Sequence, residues 1–171
     1  MATMDTIRAG GPRTGSRAIP GGRVHLLETT QWVPAGVEET FAFFSDAANL
    51  EVITPPFLGF EIRTPPPIEM REGTLIEYRI RLMGVPMAWL TRIDRWEPGR
   101  SFVDTQLRGP YARWVHTHTF TPADGGTRVE DRVEYALPLA PLSDPVRALF
   151  VRPTVERIFR HRHAAIARIL G

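Results

Sequence analysis

Four residues that can hold or move protons recur late in the chain at strand spacing: Asp104, His116, His118 and Asp131. In residues 111–137 the runs YARWVHTHTF and RVEDRVEYAL flank TPADGGT. Two alternating runs around a Pro/Asp/Gly-Gly turn predict a β-hairpin. With a period of two, Trp114, His116, His118 and Phe120 share one face. On the return run Val129, Asp131, Val133, Tyr135 and Leu137 share a face, and Arg128, Glu130, Arg132 and Glu134 take the wet one. A turn near Asp124-Gly125 sets Phe120 opposite Val129, His118 opposite Asp131, His116 opposite Val133 and Trp114 opposite Tyr135. A second turn at Gly109-Pro110 sets Asp104 opposite His116 and Phe102 opposite His118. The expected result is an inward band of Asp104, His116, His118 and Asp131 across three strands, bordered by Gln106, Trp89 and Trp114. A one-residue slip would dismantle it.

Such a band admits three readings. It can be a satisfied His–Asp pair that closes buried hydrogen bonds. It can be a pocket floor that orients a ligand's carbonyl or hydroxyl groups. It can also do general acid–base chemistry, because a histidine held by an aspartate takes a proton near neutral pH. On this last reading His116, His118, Asp131 and Asp104 are the catalytic candidates. His116 and His118 with a flanking carboxylate make a conceivable two-His-one-carboxylate set, but no metal and no other cofactor is expected. His161 and His163 lie on opposite sides of the final helix and cannot chelate together. The aromatics Trp89, Trp114, Phe120 and Tyr135 read as either ordinary core or the apolar walls of the same pocket. The ligand-binding candidates are therefore Trp89, Trp114, His116, His118, Phe120, Asp131, Tyr135, Asp104 and Gln106.

The rest of the chain must position that band. Residues 1–22 are rich in Gly, Arg, Thr and Pro without periodicity, and read as a disordered tail, with a short packed arm as the alternative. Residues 23–33 read as a first strand ended by Pro34. Val37, Phe41 and Phe44 give a helical stripe, and a second short helix covers about residues 47–53. A short strand follows at about 57–63, then the linker Pro65-Pro66-Pro67, then strands at about 74–83, 87–96 and 101–107 and the hairpin, these last joined each to the next by a few residues. Ile76, Tyr78, Ile80 and Leu82 mark an inward face. The final helix spans about 143–170, capped by Ser143 or Asp144, and Pro153 is expected to kink or split it. Val155, Ile158, Phe159, Ile166 and Ile169 form its apolar stripe; Arg157, Arg160, Arg162 and Arg168 read as a solvated face. A curved sheet with one long helix across its concave face encloses a space between them.

Composition narrows the function further. The chain has 171 residues and no cysteine, which excludes disulfides and thiolate metal sites. All its basic residues are arginine. Arg8, Arg13 and Arg17 against Asp5 account for the formal charge of +2 and leave the body neutral, which argues against nucleic acid as a partner. No apolar run is long enough for a membrane span, and the expected compartment is cytoplasmic.

The order strand, two helices, six strands, long helix resembles the SRPBCC superfamily, the group of START domains, polyketide cyclases and plant pathogenesis-related allergens. The resemblance covers about Arg23 to Leu170. It is closest to a bacterial subfamily on Pro55-Pro56, Phe102-Val103-Asp104, Gly109-Pro110-Tyr111, Trp114 through Phe120, Gly126-Thr127, Asp131 through Tyr135, Leu137-Pro138 and Ile158 through Arg162. It implies an α+β helix-grip domain over 23–171: a curved seven-stranded antiparallel sheet (β-α-α-β6-α) wrapped round a long C-terminal helix. It also implies a small hydrophobic or amphipathic ligand in the cavity between sheet and helix. The alternative is a cyclase or dehydratase of polyketide type that uses the inward His/Asp cluster.

Overall fold

The computed structural model describes residues 10–19, 22–139 and 144–171. The strands are β1 (Gly10–Ile19), β2 (Gly22–Val33), β3 (Glu61–Ile62), β4 (Leu75–Leu82), β5 (Val85–Glu97), β6 (Ser101–Arg108), β7 (Arg113–Ala123) and β8 (Gly126–Ala136). They form one eight-stranded sheet in the order β1-β2-β8-β7-β6-β5-β4-β3. Between β2 and β3 run α1 (Val37–Ser45), α2 (Asn49–Ile53) and a 3-10 turn (Pro56–Leu58). After β8 come α3 (Asp144–Val146), a π turn (Arg147–Val151) and α4 (Arg152–Ile169). This is the α+β helix-grip architecture, with one strand more than the sequence reading counts. No helix among the described residues is long and apolar enough to cross a membrane.

The extra strand corrects the expectation of a disordered tail. Gly10–Ile19 pairs antiparallel with β2, with Thr14 beside Leu27 and Arg17 beside Val24. Residues 13–18 are exposed. An edge strand held by backbone bonds needs no apolar alternation, so it leaves no period in the sequence. The remainder of that segment, residues 1–9 and 20–21, lies outside the described residues, as does the expected cap Ser143.

The central register is the one that period and turn chemistry dictate. Phe120 faces Val129, His118 faces Asp131, His116 faces Val133 and Trp114 faces Tyr135. Across the next ladder Asp104 faces His116 and Phe102 faces His118. Strand β5 carries register shifts against β6 between Leu90 and Thr91 and between Ile93 and Arg95. Before the second shift the odd residues Trp89, Thr91 and Ile93 are buried. After it the even residue Trp96 packs against Phe41 and Phe102. Bulges bend a strand and sharpen its twist.

Two apolar clusters sit under the helices. One joins Phe41 and Phe44 of α1 to Phe102, Phe120, Val129 and Ile166. The other joins Leu27, Val133 and Tyr135 to Val155 and Phe159 of α4. Pro153 lies in the first turn of α4, directly after the π turn. Proline lacks an N–H and its ring crowds the carbonyl four residues back. The wider winding, in which the Arg152 N–H bonds to the Arg147 carbonyl, accommodates both defects.

Candidate functional site

Between the two apolar clusters, Asp104, His116, His118 and Asp131 close into a ring in which acid and base alternate. His116 Nε2 lies 3.0 Å from Asp131 Oδ1, and its Nδ1 lies 3.5 Å from Asp104 Oδ2. His118 Nε2 lies 3.2 Å from Asp104 Oδ2, and its Nδ1 lies 2.8 Å from Asp131 Oδ1. The last contact is short but lacks hydrogen-bond geometry, so it is an ion contact rather than a directed bond. Neighbouring same-face positions on β7 bring the two imidazole centroids to 3.8 Å. Phe102 stacks on His118 at 4.2 Å, and Phe159 meets His116 edge-on at 5.5 Å. Thr29 of β2 lies 3.5 Å from Asp131 Oδ2 and 3.2 Å from His163 Nε2, which ties the ring to α4.

Both carboxyl groups are held ionised. Burial alone would raise Asp131, but the hydrogen bond from His116 and the close contact and charge of His118 outweigh it and hold the group well below the ordinary carboxylate range. Asp104 is lowered in the same way: burial opposes, while His116, His118 and Arg162 favour the charged form. The histidines part company. Burial pushes both towards neutrality, but the hydrogen bond to Asp104 and the close contact with the Asp131 carboxylate win at His118, which is raised. At His116 burial and the adjacent His118 charge win, and it is lowered. Within the ring a proton is therefore held more tightly by His118 than by His116.

These signs set a pH dependence. A lowered carboxyl stabilises the fold above its ordinary value of 3.8, and that contribution is lost as pH falls through the folded value. Raised His118 stabilises below its ordinary value of 6.5 and fades as pH rises past its folded value; lowered His116 does the reverse. The imidazole contributions oppose each other near neutrality, whereas the carboxyl contributions add in acid. Urea midpoints are expected to stay nearly flat from about pH 6 to about pH 8 and to fall below about pH 4. A midpoint that holds steady down to about pH 2 would contradict an ionised ring.

Three members of the ring, Asp104, His116 and His118, floor a cavity of about 160 Å³ between the sheet, α2 and α4. An apolar cavity of about 150 Å³ takes one benzene, so this one accepts a single six-membered ring. Its aromatic wall is built from β4, β5 and β7. Tyr78 stacks on Trp89 at 5.6 Å, and Trp114 stands edge-on to Trp89 at 5.4 Å. Trp89 Nε1 donates to Thr91 Oγ1 at 3.0 Å, and the Tyr78 hydroxyl lies 3.2 Å from the same oxygen. The polar tips of Tyr78 and Trp89 are thus paired. Burial pushes the Tyr78 and Tyr111 phenols up, so the wall stays uncharged. Asp104 is the most open member of the floor, with its side chain 17% exposed.

Of the expected site residues, Trp89, Trp114, His116, His118 and Asp104 line the cavity. Four others stand elsewhere. Phe120 is consumed by the core, where Phe41 and Phe44 pack on it at 5.3 and 5.1 Å. Tyr135 belongs to the cluster beneath α4. Asp131 lies behind the two imidazoles, 4% exposed. Gln106 faces its own turn: Nε2 donates to the Tyr111 carbonyl at 2.7 Å and Oε1 accepts from the Tyr111 N–H at 3.3 Å. That clip needs Gly109, since a Cβ there would collide with the Gln106 amide.

Other lining residues were not among the expected site residues: Tyr78, read from sequence only as inward-facing, and Thr91, Tyr111 and Arg162. Arg162 is a correction, because the sequence reading put it on a solvated face. The signal was present: Val155, Phe159, Arg162 and Ile166 follow one another at helical spacing, so Arg162 occupies an inward position. Asp104, His116 and His118 also bring ligand atoms within 4.8 Å of one another. Each ring nitrogen already meets a carboxylate, at 2.8 to 3.5 Å. A cation there would have to break these contacts.

No curated protein matches this sequence. Among solved structures, protein Ms6760 from Mycobacterium smegmatis is 19% identical, with a TM-score of 0.66 over 95% of this chain and 98% of its own. The Zhui aromatase/cyclase from Streptomyces sp. R1128 is 18% identical, with a TM-score of 0.66 over 84% of this chain and 92% of its own. Ara h 8.0201 is 21% identical, with a TM-score of 0.59 over 84% and 97%. At this identity the likeness carries the fold. The model of the family described as polyketide cyclase / dehydrase and lipid transport matches residues 24–171. With that match over nearly the whole sheet and helix, the chain belongs to this family and, through it, to the SRPBCC superfamily.

Proposed function

We propose that the protein binds a small amphipathic molecule with a ring-sized apolar part, held between the sheet and α4. One observation carries the reading: a single hollow is bounded by Tyr78, Trp89 and Trp114 on one side and by the ionised Asp104–His118 edge on another. An apolar wall with a few convergent polar groups is what a small-molecule site needs. The ligand's ring lies against the tryptophans, and its hydroxyl or enol donates to Asp104. The family description, which spans cyclases and lipid transport, supports the same class of function. Trp89 and Trp114 supply the assay. Titration with 4-ethylphenol should quench tryptophan emission saturably, and Asp104→Asn should weaken binding about tenfold. Absence of saturation at millimolar probe would rule the reading out.

The second reading is a cyclase or dehydratase, favoured by the Asp104 carboxylate set 3.2 Å from the His118 imidazole on the cavity floor. Asp104 would take a proton from the carbon between two carbonyls, and the enolate carbon would add to a third carbonyl of the same chain. The alkoxide formed would take up the Asp104 proton, and loss of water would follow. Incubation with a linear poly-β-ketone thioester, read as loss of one water by mass spectrometry, separates the two. An enzyme loses this turnover in Asp104→Asn, whereas a carrier shows none to lose.

A further inference from the structure

The inward face of α4 runs Val155, Phe159, Arg162, Ile166. Three of these are buried and apolar, and Val155, Phe159 and Arg162 line the cavity. Arg162 is the only arginine among the residues lining that cavity. It makes no ion pair among the described residues, and none of its N–H groups is hydrogen-bonded there. Its guanidinium rests 5.5 Å from the Phe159 ring centroid, which holds it over the hollow rather than out along the helix surface. Its charge is felt at Asp104 on one side of the cavity and at Tyr78 on the other. Asp104 is no ion-pair partner, because it is already committed to His116 and His118 and stands beyond contact range of the guanidinium.

An arginine placed at an apolar helix position, half-buried and without a carboxylate, has its desolvation uncompensated. The guanidinium fork suits a planar anion with two oxygens. The remaining space, about 160 Å³, holds one six-membered ring. We infer that the ligand is a one-ring organic acid whose carboxylate is gripped by Arg162 and whose ring lies on the Trp89–Trp114 wall. A hydroxyl on the ring then reaches the Asp104 end of the floor. The inference rests on the proposed binding site and adds the charge and size of what enters it.

The test compares 4-hydroxybenzoate with 4-hydroxybenzamide, which has the same shape without the charge. Binding to the wild-type chain and to Arg162→Gln and Arg162→Lys is followed by calorimetry and tryptophan emission, with thermal melts to confirm folding. The acid should bind the wild type at least about tenfold more tightly than the amide, and its affinity should fall with added salt. Arg162→Gln should remove that advantage while changing amide affinity by less than about threefold, and Arg162→Lys should restore part of it. Equal affinity for acid and amide, with both bound, overturns the inference and leaves the cavity reading standing. Binding of neither at millimolar concentration overturns both.

Discussion

Asp131→Ala is expected to cost about 3–5 kcal/mol of folding stability at neutral pH, read as a fall in the urea midpoint at unchanged slope. The side chain is almost fully buried and meets two imidazoles, at 3.0 and 2.8 Å. Removing it leaves the two buried imidazoles with Asp104 as their one carboxylate partner and opens a space the strands cannot close. The buried charge left behind, more than the lost hydrogen bond, sets the size of the effect. Asp131→Asn keeps the volume and one hydrogen bond to an imidazole, so it should cost less than alanine. A loss below about 1 kcal/mol for the alanine variant would mean that the ring does not hold β7 to β8.

Phe159→Ala is expected to cost a comparable amount, about 3–5 kcal/mol, for a different reason. Phe159 is 2% exposed, packs with Leu27, Val133 and Tyr135, and stands edge-on to His116. Truncation deletes an aromatic ring from the cavity wall and from beneath Arg162. The vacated space is continuous with the cavity, so the variant should also take larger ligands. Tryptophan quenching by 1-naphthol, stronger in the variant than in the wild type despite a lower melting temperature, would show both consequences at once. A variant as stable as the wild type would mean that α4 does not rest on this residue.

The site could be read from sequence to the extent that local rules controlled it. A period of two, a Gly-Gly turn and a Gly-Pro turn place Asp104, His116, His118 and Asp131 on one face in the correct pairing, because each fixes register over a few residues. What escaped depends on parts of the chain far away. Phe120 is core rather than wall because α1, some eighty residues earlier, lowers Phe41 and Phe44 onto it. Gln106 has the character of a cavity residue but is claimed by its own turn. Strand β1 left no pattern because backbone bonds rather than side chains hold it. Arg162 was misplaced by chemistry rather than by geometry: helical spacing pointed it inward, and the general expectation for a charged side chain pointed it out.

The bulge between Ile93 and Arg95 has a consequence for how such a hollow can be resized. Because β5 changes facing there, Trp89 and Thr91 serve the cavity while Trp96 serves the core at the far end of the same strand. Deleting Asp94 would remove the surplus residue, leave Ile93, Arg95 and Trp96 in plain alternation with Trp96 still opposite Phe102, and take the local bend and extra twist out of the strand. Capacity is therefore governed by one surplus residue in the backbone. Insertions or losses at that point offer descendants of this scaffold a route to larger or smaller cargo with every contacting side chain left as it is.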